Sequence, residues 1–280
     1  MTPDTDKVAG EGCTSVRAFR LAYDGAPFHG FQRQPDVPTV EDALFDALCA
    51  LGVCTDGPEN YSAAGRTDAG VSAAAQTVAF DCPEWCGPAA LNAELPESIR
   101  AWAAADVTDF HATHDARGRE YVYVLPGVGL DDGRARETAG RLSGEHDFHN
   151  LTPDGTGTVR DVSVGLDRDG EFLAVTVRAD GFPRQLVRRL VSLLRSVASG
   201  AAPLSKIGDV LGPDRIEGPE GVPPAPAYPL YLADVRYGLS FTVAPGAAAD
   251  ARKRFERRRT EHAVRSRVAG AIAGEVTDRG

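Results

Sequence analysis

The chain has very little lysine, methionine and tryptophan. Lysine occurs only at Lys7, Lys206 and Lys253, so arginine supplies 27 of the 30 basic residues, against 40 acidic ones. The formal net charge of −10 excludes the broadly basic surface of a typical nucleic-acid-binding protein. An acidic, lysine-poor composition is typical of halophiles. In concentrated salt the Debye length falls to about 3 Å, which screens the long-range repulsion between an acidic protein and a phosphate backbone. Local arginine clusters can then still bind that backbone.

A long apolar run and a signal peptide are also missing. No apolar run approaches the roughly 20 residues that cross a bilayer, so we expect no membrane partner and a cytoplasmic location. The five cysteines are an odd number, which argues against a disulfide framework. Cys82, Cys86, His111 and His114 could be drawn as a zinc site, but structural zinc sites are usually spaced more tightly. We expect no metal.

Local patterns predict an α+β chain in four parts. These are a disordered leader (1–14), an N-terminal α+β subdomain (15–109), a C-terminal α+β subdomain (110–245) and an Arg-rich helical tail (246–280). The predicted strands are 16–23, 76–80, 99–107, 121–125, 159–166, 172–178 and 230–237. The predicted helices are 40–51, 88–95, 183–199 and a tail helix beyond Gly246.

Glycine and proline provide three further predictions. Asp169-Gly170 is a typical hairpin turn, and the glycines of residues 127–133 indicate a flexible connector. Pro183 suits the first position of a helix. On a helix that begins there, Arg184, Arg188 and Arg195 would share one side.

One carboxylate stands between two glycines in residues 65–72, GRTDAGVS. Glycines let the backbone turn tightly and approach a ligand, so Asp68 can be presented at a loop tip instead of in the core. A plain surface turn explains the same eight residues equally well. The segment resembles the catalytic loop of pseudouridine synthases, specifically of the tRNA pseudouridine synthase A family.

Three further segments resemble the same family, in the same order. Residues 23–34, YDGAPFHGFQRQ, interleave aromatic side chains with Arg and Gln, which suits stacking on unpaired bases. Residues 110–123, FHATHDARGREYVY, are similar to the family's arginine-tyrosine segment. Residues 181–190, GFPRQLVRRL, are similar to its Phe-containing helix start. With the Asp68 loop, the resemblance covers roughly residues 16–238.

The resemblance implies a pseudouridine synthase fold, in which two mixed α/β subdomains with antiparallel sheets flank a central RNA-binding cleft. It implies isomerisation of uridine to pseudouridine at positions 38, 39 and/or 40 of the tRNA anticodon stem-loop. In this reaction the glycosidic bond is cleaved and the base is reattached through C5, with a catalytic aspartate and no cofactor. The implied partners are tRNA and, because family members are homodimers, a second copy of the chain.

By the same resemblance, Asp68 is the nucleophile or base, Tyr121 stacks on the uracil and assists proton transfer, and Arg188 pairs with Asp68. An arginine beside a half-buried carboxylate keeps it ionised and fixes its rotamer. On alternation alone, Tyr121 would be a strand residue that faces the core. The implied substrate-binding residues are Arg66, Thr67, Phe31, Gln32, Arg117 and Arg119.

The chain departs from the family pattern at four positions. Ser72 stands where bacterial members typically carry histidine, and Pro229 stands where a glycine is common. Thr113 and His114 depart from a Phe-His-Ala-Arg pattern. By the resemblance, these departures affect contacts with the RNA, and none of them replaces Asp68.

Two other functions fit parts of the same evidence. One is a non-catalytic RNA-binding protein on the same scaffold, because a scaffold alone does not define an activity. The other is a glycosidase with a carboxylate nucleophile that acts on small nucleosides. No second catalytic carboxylate is evident for that chemistry.

Overall fold

The structure is a computed structural model that describes residues 14–216 and 218–278. The predicted leader, apart from Thr14, lies outside the described residues. Within them the chain forms ten strands: β1 (Thr14–Tyr23), β2 (Ser62–Ala63), β3 (Ser72–Pro83), β4 (Ile99–Asp106), β5 (Gly118–Pro126), β6 (Gly144–Asp147), β7 (Val159–Asp169), β8 (Phe172–Ala179), β9 (Leu230–Arg236) and β10 (Thr242–Val243). The same residues form six α-helices: α1 (Val40–Ala50), α2 (Pro88–Glu94), α3 (Asp132–Leu142), α4 (Leu186–Ala198), α5 (Ser205–Leu211) and α6 (Pro245–Asp278).

The strands of both halves join in one mostly antiparallel sheet, in the order β10-β4-β1-β3-β9-β5-β8-β7-β6, with β2 added to β3. The antiparallel sheets that the resemblance implied for the two halves are therefore joined in a single sheet. The reason is β9, which pairs antiparallel with β5 and parallel with β3, through Ser72↔Tyr231 and Ala73↔Leu232. This strand from the second half closes the gap between the halves.

All seven predicted strands and all four predicted helices are present, with shifted ends. The glycine-containing connector is wrong in part, because Gly133 lies inside α3, and Asp131 caps this helix by accepting a hydrogen bond from the backbone N of Arg134. The hairpin turn is centred one residue later than predicted. Asp169 pairs with Phe172, so Gly170, at φ +55°, is the first of the two loop residues.

The helix predicted from Pro183 begins at Leu186 instead. Gln185 has a φ of +63°, in the left-handed region, which no residue inside a right-handed helix can adopt. Arg184 therefore precedes the helix and does not share a helical face with Arg188 and Arg195. The backbone N of Arg184 donates to Oδ2 of Asp154 at 2.7 Å, which holds this bend in place.

The tail forms helix α6, as predicted, and its first turns are anchored. Ala247 and Ala251 are buried, Arg254 pairs with Glu97, and Arg258 pairs with Asp24. From residue 259 to 276 every side chain is exposed. No helix in the described parts of the chain is long and apolar enough to span a membrane.

Candidate active site

A cleft of about 1080 Å³ opens where the loop between β2 and β3 faces the segment that leads into α4. Its walls come from both halves of the chain. The predicted residues that line it are Phe31, Gln32, Arg66, Thr67, Asp68, Arg119, Tyr121 and Arg188. Arg117 is not among the lining residues. Its side chain is exposed and lies against Gly238, and its backbone N donates to the carbonyl oxygen of Arg236 at 2.7 Å.

Hydrogen bonds hold the part of the loop that directly precedes Asp68. The Gln76 side chain donates to the carbonyl oxygen of Gly65 at 2.7 Å. The backbone N of Phe31 donates to the carbonyl oxygen of Thr67 at 3.1 Å. The hydroxyl groups of Thr67 and Tyr23 are hydrogen-bonded at 2.8 Å. The loop is therefore rigid before any ligand binds, which is what precise positioning of a reactive group requires.

Two glycines permit the close approach of the preceding loop. A Cβ at Gly25 would lie 2.2 Å from the carbonyl oxygen of Val71, a distance that no side chain can occupy. Gly30 has a φ of +107°, and a Cβ there would lie 2.9 Å from the carbonyl oxygen of Thr67. The segment of residues 23–34 therefore acts as a backing layer for the Asp68 loop, because it has no side chain at the two points of contact.

Asp68 is held from the opposite wall by Arg188. Nη1 of Arg188 lies 2.8 Å from Oδ2 of Asp68, and Nε of Arg188 donates to the carbonyl oxygen of Ala225 at 2.7 Å. The Arg188 side chain is 16% exposed and that of Asp68 is 33% exposed. A charge-assisted pair that is partly shielded from water is stronger than a surface pair. One carboxylate oxygen is thus fixed, and the carboxylate keeps a face open to the cleft.

Tyr121 lies on β5 beside this pair. It is buried, and its ring meets the edge of Phe182 at a centroid distance of 5.3 Å and an interplanar angle of 86°. Burial raises the pKa of the phenol to about 12; Arg119 acts in the opposite direction, and the charge of Asp68 adds to the rise. The phenol is therefore neutral at physiological pH. Tyr121 is therefore both a buried strand residue, as the alternation predicted, and a residue that lines the cleft.

Arg119 lines the cleft, but its donors are directed at the protein backbone. Its guanidinium donates to the carbonyl oxygens of Ala64, Thr113 and Asp180. These contacts join the Asp68 loop to the end of β8. The arrangement favours a supporting role for Arg119 over a direct contact with RNA.

The lining residues that were not singled out by sequence include four with large polar or charged side chains: Glu41, Tyr61, Asp154 and Arg160. The Tyr61 hydroxyl is buried without a hydrogen-bond partner among the described residues, and burial, with the carboxylate of Glu41 nearby, raises its pKa. Phe182 and Arg184 belong to a segment that the sequence did single out, although neither was assigned a role. None of the four lies in a recognisable motif, and only the tertiary fold brings them to the cleft.

The described residues contain no group of three or more His, Cys, Asp or Glu side chains that could hold a metal ion. Cys49, Cys54, Cys82 and Cys86 are free thiols. The groups of the cleft that could contact a ligand are thus the carboxylates of Asp68, Asp154 and Glu41, an aromatic wall and several guanidinium groups.

Comparison with known proteins gives the same family as the four segments. Residues 138–238 match a family model described as tRNA pseudouridine synthase. The tRNA pseudouridine synthase A of Haloarcula marismortui is 56% identical over 271 residues, with 92% of this chain and 98% of the relative covered. The chain belongs to the tRNA pseudouridine synthase A family. It is therefore an isomerase, as the resemblance implied.

Other members of the tRNA pseudouridine synthase A family match over similar lengths. That of Natronomonas pharaonis is 58% identical over 264 residues, covering 92% of this chain and 99% of the relative. That of Methanosarcina mazei is 41% identical over 229 residues, covering 79% and 84%. Haloarcula marismortui and Natronomonas pharaonis are halophiles, which agrees with the acidic composition of this chain.

Among solved structures, the chain matches one titled as an archaeal box H/ACA sRNP Nop10-Cbf5 complex. The TM-score is 0.34 and the identity 15%, over 64% of this chain and 43% of that one. A similarity at this level carries no argument.

Proposed function

We propose that this protein isomerises uridine to pseudouridine in tRNA, at positions 38, 39 and/or 40 of the anticodon stem-loop, with Asp68 as the catalytic carboxylate. The observation that carries the proposal is the position of Asp68 on a rigid loop in the cleft, with one carboxylate oxygen held by Arg188 at 2.8 Å. The names of the relatives that cover nearly the whole chain support tRNA as the substrate.

The chemistry requires no group beyond the chain and the RNA. Asp68 acts on the ribose, either as a nucleophile at C1′ or as a base that removes a sugar proton, and the N1–C1′ bond breaks. The freed uracil rotates in the cleft, and its C5 forms the new bond to C1′. In the first route the bond between Asp68 and C1′ breaks as this bond forms, and in the second route Asp68 returns the proton to the sugar. The proton on C5 is then lost and N1 gains a proton, so the atoms of substrate and product balance.

The neighbours of Asp68 divide the remaining tasks. Tyr121 and Phe182 form an aromatic wall on which the flipped uracil can stack. Because burial raises the pKa of Tyr121 to about 12, its phenol takes part as a neutral hydrogen-bonding group in the late proton transfer. Arg66 is exposed and has no ion pair among the described residues, so it is free to fill the space that the flipped nucleotide leaves.

The proposal also includes a homodimer whose two subunits both contact the RNA. Size-exclusion chromatography with light scattering, at the high salt that an acidic protein requires, measures the mass of the particle. A mass twice that of the 29.6 kDa chain supports the dimer. A mass equal to that of the chain removes the dimer from the proposal and leaves the chemistry of the cleft unchanged.

The function is tested with three unmodified tRNA transcripts, each with uridine at only one of positions 38, 39 and 40. Each is incubated with the protein in molar KCl, and pseudouridine is mapped chemically at single-nucleotide resolution. Pseudouridine in at least one transcript is the expected result, and the pattern identifies the target position. Binding without modification would instead favour a non-catalytic RNA-binding protein, and cleavage of free uridine would favour a nucleoside glycosidase.

A further inference from the structure

A second hollow, of about 500 Å³, lies on the face of the sheet opposite the cleft. Successive side chains of a strand point to opposite faces. Tyr121 of β5 lines the cleft, so Val124, three residues later, must face the other way, and it lines the hollow. The hollow lies between this sheet face and α6, and we call it the α6 groove. Six of its lining residues are Val124, Tyr228, Tyr231, Phe255, Arg259 and His262.

The α6 groove adjoins the backing of the Asp68 loop. Leu230 lines both the groove and the cleft. Tyr23 also lines the groove, and its hydroxyl is hydrogen-bonded to Thr67 at 2.8 Å. Ser72, the first residue of β3, lines the groove and accepts a hydrogen bond from the backbone N of Gly25 at 3.0 Å. A polymer bound in the cleft therefore needs to pass only the strand ends to reach the groove.

The rim of the groove carries an aromatic side chain that the fold does not use. Tyr228 is 77% exposed, directly before Pro229 and the start of β9. A large aromatic side chain that buries so little of its surface contributes almost nothing to packing. Exposed aromatics beside cationic side chains are the usual platform for unpaired bases.

The charge of α6 contrasts with that of the rest of the molecule. Residues 252–267 contain eight basic and two acidic residues, a net charge of +6 in a chain whose net charge is −10. Four of the basic residues, Arg252, Arg254, Arg257 and Arg258, form ion pairs with Asp or Glu. No ion pair within the described residues involves the remaining four, Lys253, Arg259, Arg265 and Arg267.

Helical geometry places part of this charge on the groove. At 100° per residue, Arg259 and Arg265 lie about 60° to either side of His262, which lines the groove. Lys253 lies on the opposite side of the helix, about 180° from His262. The groove side of α6 therefore presents two guanidinium groups without a carboxylate partner, next to Tyr228.

We propose that the α6 groove is a second RNA-binding surface, where a nucleotide outside the anticodon arm stacks on Tyr228 while Arg259 and Arg265 bind its backbone phosphates. The inference rests on the proposed function for the identity of the RNA. A polyanion is the occupant that fits a net charge of +6 on one segment of an acidic protein, because self-repulsion of α6 argues against a second copy of the same helix there. Stacking on Tyr228 does not depend on charge, so this part of the binding persists in concentrated salt, where the phosphate contacts weaken.

The test compares binding of a full-length tRNA transcript with binding of an isolated anticodon stem-loop, by fluorescence anisotropy at several KCl concentrations. The variants are Tyr228→Ala and Arg259→Gln, and Lys253→Gln is the matched control that removes one positive charge from the opposite side of α6. Equal thermal unfolding midpoints establish that the variants are folded. The mass of each particle, from light scattering, reports any change in self-association.

Tyr228→Ala is expected to weaken binding of the full-length transcript at least about fivefold, the lower range for loss of one stacked base. Arg259→Gln is expected to weaken it several-fold and to reduce the salt dependence by about one phosphate contact. Because the proposal places the stacked nucleotide outside the anticodon arm, the isolated stem-loop should bind both variants as it binds the wild type. Lys253→Gln should leave both affinities unchanged.

Three results would overturn the inference. These are an unchanged affinity for the full-length transcript, an equal loss for both RNAs, and a change of particle mass that identifies a second copy as the occupant. Because binding requires no turnover, the two proposals fail separately. A wild-type protein that binds through the groove but forms no pseudouridine would contradict only the proposed function.

Discussion

The two walls of the cleft are built in different ways. The wall that carries Asp68 is held by close backbone contacts, such as the hydrogen bond from the backbone N of Phe31 to the carbonyl oxygen of Thr67 at 3.1 Å, together with short side-chain hydrogen bonds. The wall that carries Arg188 is held by long side chains that reach distant carbonyls. Nη1 of Arg189 donates to Val222 at 2.7 Å, and Nε of Arg188 donates to Ala225 at 2.7 Å.

The two kinds of contact differ in whether they can be recognised in the amino-acid sequence. A loop made of backbone contacts needs glycines at fixed positions, so it leaves a short motif that can be read in the sequence. A wall made of arginine side chains and carbonyls leaves no such motif, because any residue supplies a carbonyl. Its integrity depends on the tertiary fold, and the two walls should respond differently to substitution.

The largest effect is expected on the Asp68 wall. Asp68→Asn keeps the size of the side chain and removes its negative charge, so pseudouridine formation should fall by at least about 10²- to 10⁴-fold. Asp154→Asn, the matched change of a carboxylate on the other wall, should cost less than about tenfold. Single-turnover rates on a tRNA transcript measure both variants. Equal losses would remove the distinction between the two carboxylates.

The second prediction concerns the backing of the Asp68 loop. Gly25→Ala would place a methyl group 2.2 Å from the carbonyl oxygen of Val71, which should lower the free energy of unfolding by about 2–4 kcal/mol. At Gly181, on the other wall, the nearest neighbour to a Cβ is Nη1 of Arg119 at 4.0 Å. Gly181→Ala should change stability by less than about 1 kcal/mol.

Denaturant unfolding in high salt measures this pair of variants. Comparable losses from the two substitutions would show that the close backbone approach is not special to the Asp68 wall.

The third prediction concerns the ion pair between Arg188 and Asp68, which joins the two walls. Arg188→Lys keeps the charge but cannot reach both Asp68 and the carbonyl oxygen of Ala225 with a planar fork. The rate should fall about ten- to a hundredfold, because a misplaced carboxylate reacts more slowly. Arg195→Lys, at an exposed position two turns further along the same helix, is the control and should keep the wild-type rate. A full rate in Arg188→Lys would mean that charge alone suffices.

The smallest effect is expected at alkaline pH. Burial raises the pKa of Tyr121 from 10.0 to about 12, so the folded state holds this proton more tightly than the unfolded chain. The resulting stability is fully present below pH 10 and is lost as the pH rises toward 12, by about 1.4 kcal/mol per pH unit for one such group. Tyr121→Phe should reduce this slope in denaturant titrations between pH 10 and 12. An unchanged slope would contradict the buried, neutral phenol.

Much of the fold was predictable because its long elements have clear periods and caps. Thr39, for example, accepts a hydrogen bond from the backbone N of Asp42 at the start of α1, as an N-cap residue should. Helix α3 was missed because Leu142 is the one large apolar side chain among its four buried positions, the others being Ala135, Thr138 and Ala139. The single sheet was missed because β3 and β9 are joined by only two residue pairs, which leave no local pattern.

The candidate site was predictable in the same uneven way. Residues 65–72 predicted an exposed Asp68 but fitted a plain surface turn equally well, and Arg188 was singled out only by family resemblance. The bend before α4 could not be predicted, since Pro183 suits a helix start and the left-handed Gln185 follows a residue, Arg184, that is held by contacts with Asp154 and Thr152. Arg119 was expected to bind substrate, but three backbone carbonyls occupy its donors.

The most direct test of the account is a double-mutant cycle across the cleft, with Asp68→Asn, Arg188→Gln and the double variant measured by single-turnover pseudouridine formation on one tRNA transcript. If Arg188 acts by holding Asp68 at 2.8 Å, its loss has nothing further to disturb once the carboxylate is gone. The account therefore predicts that the double variant is no slower than Asp68→Asn alone. Rate losses that multiply in full would show that the two residues act independently and would contradict the account.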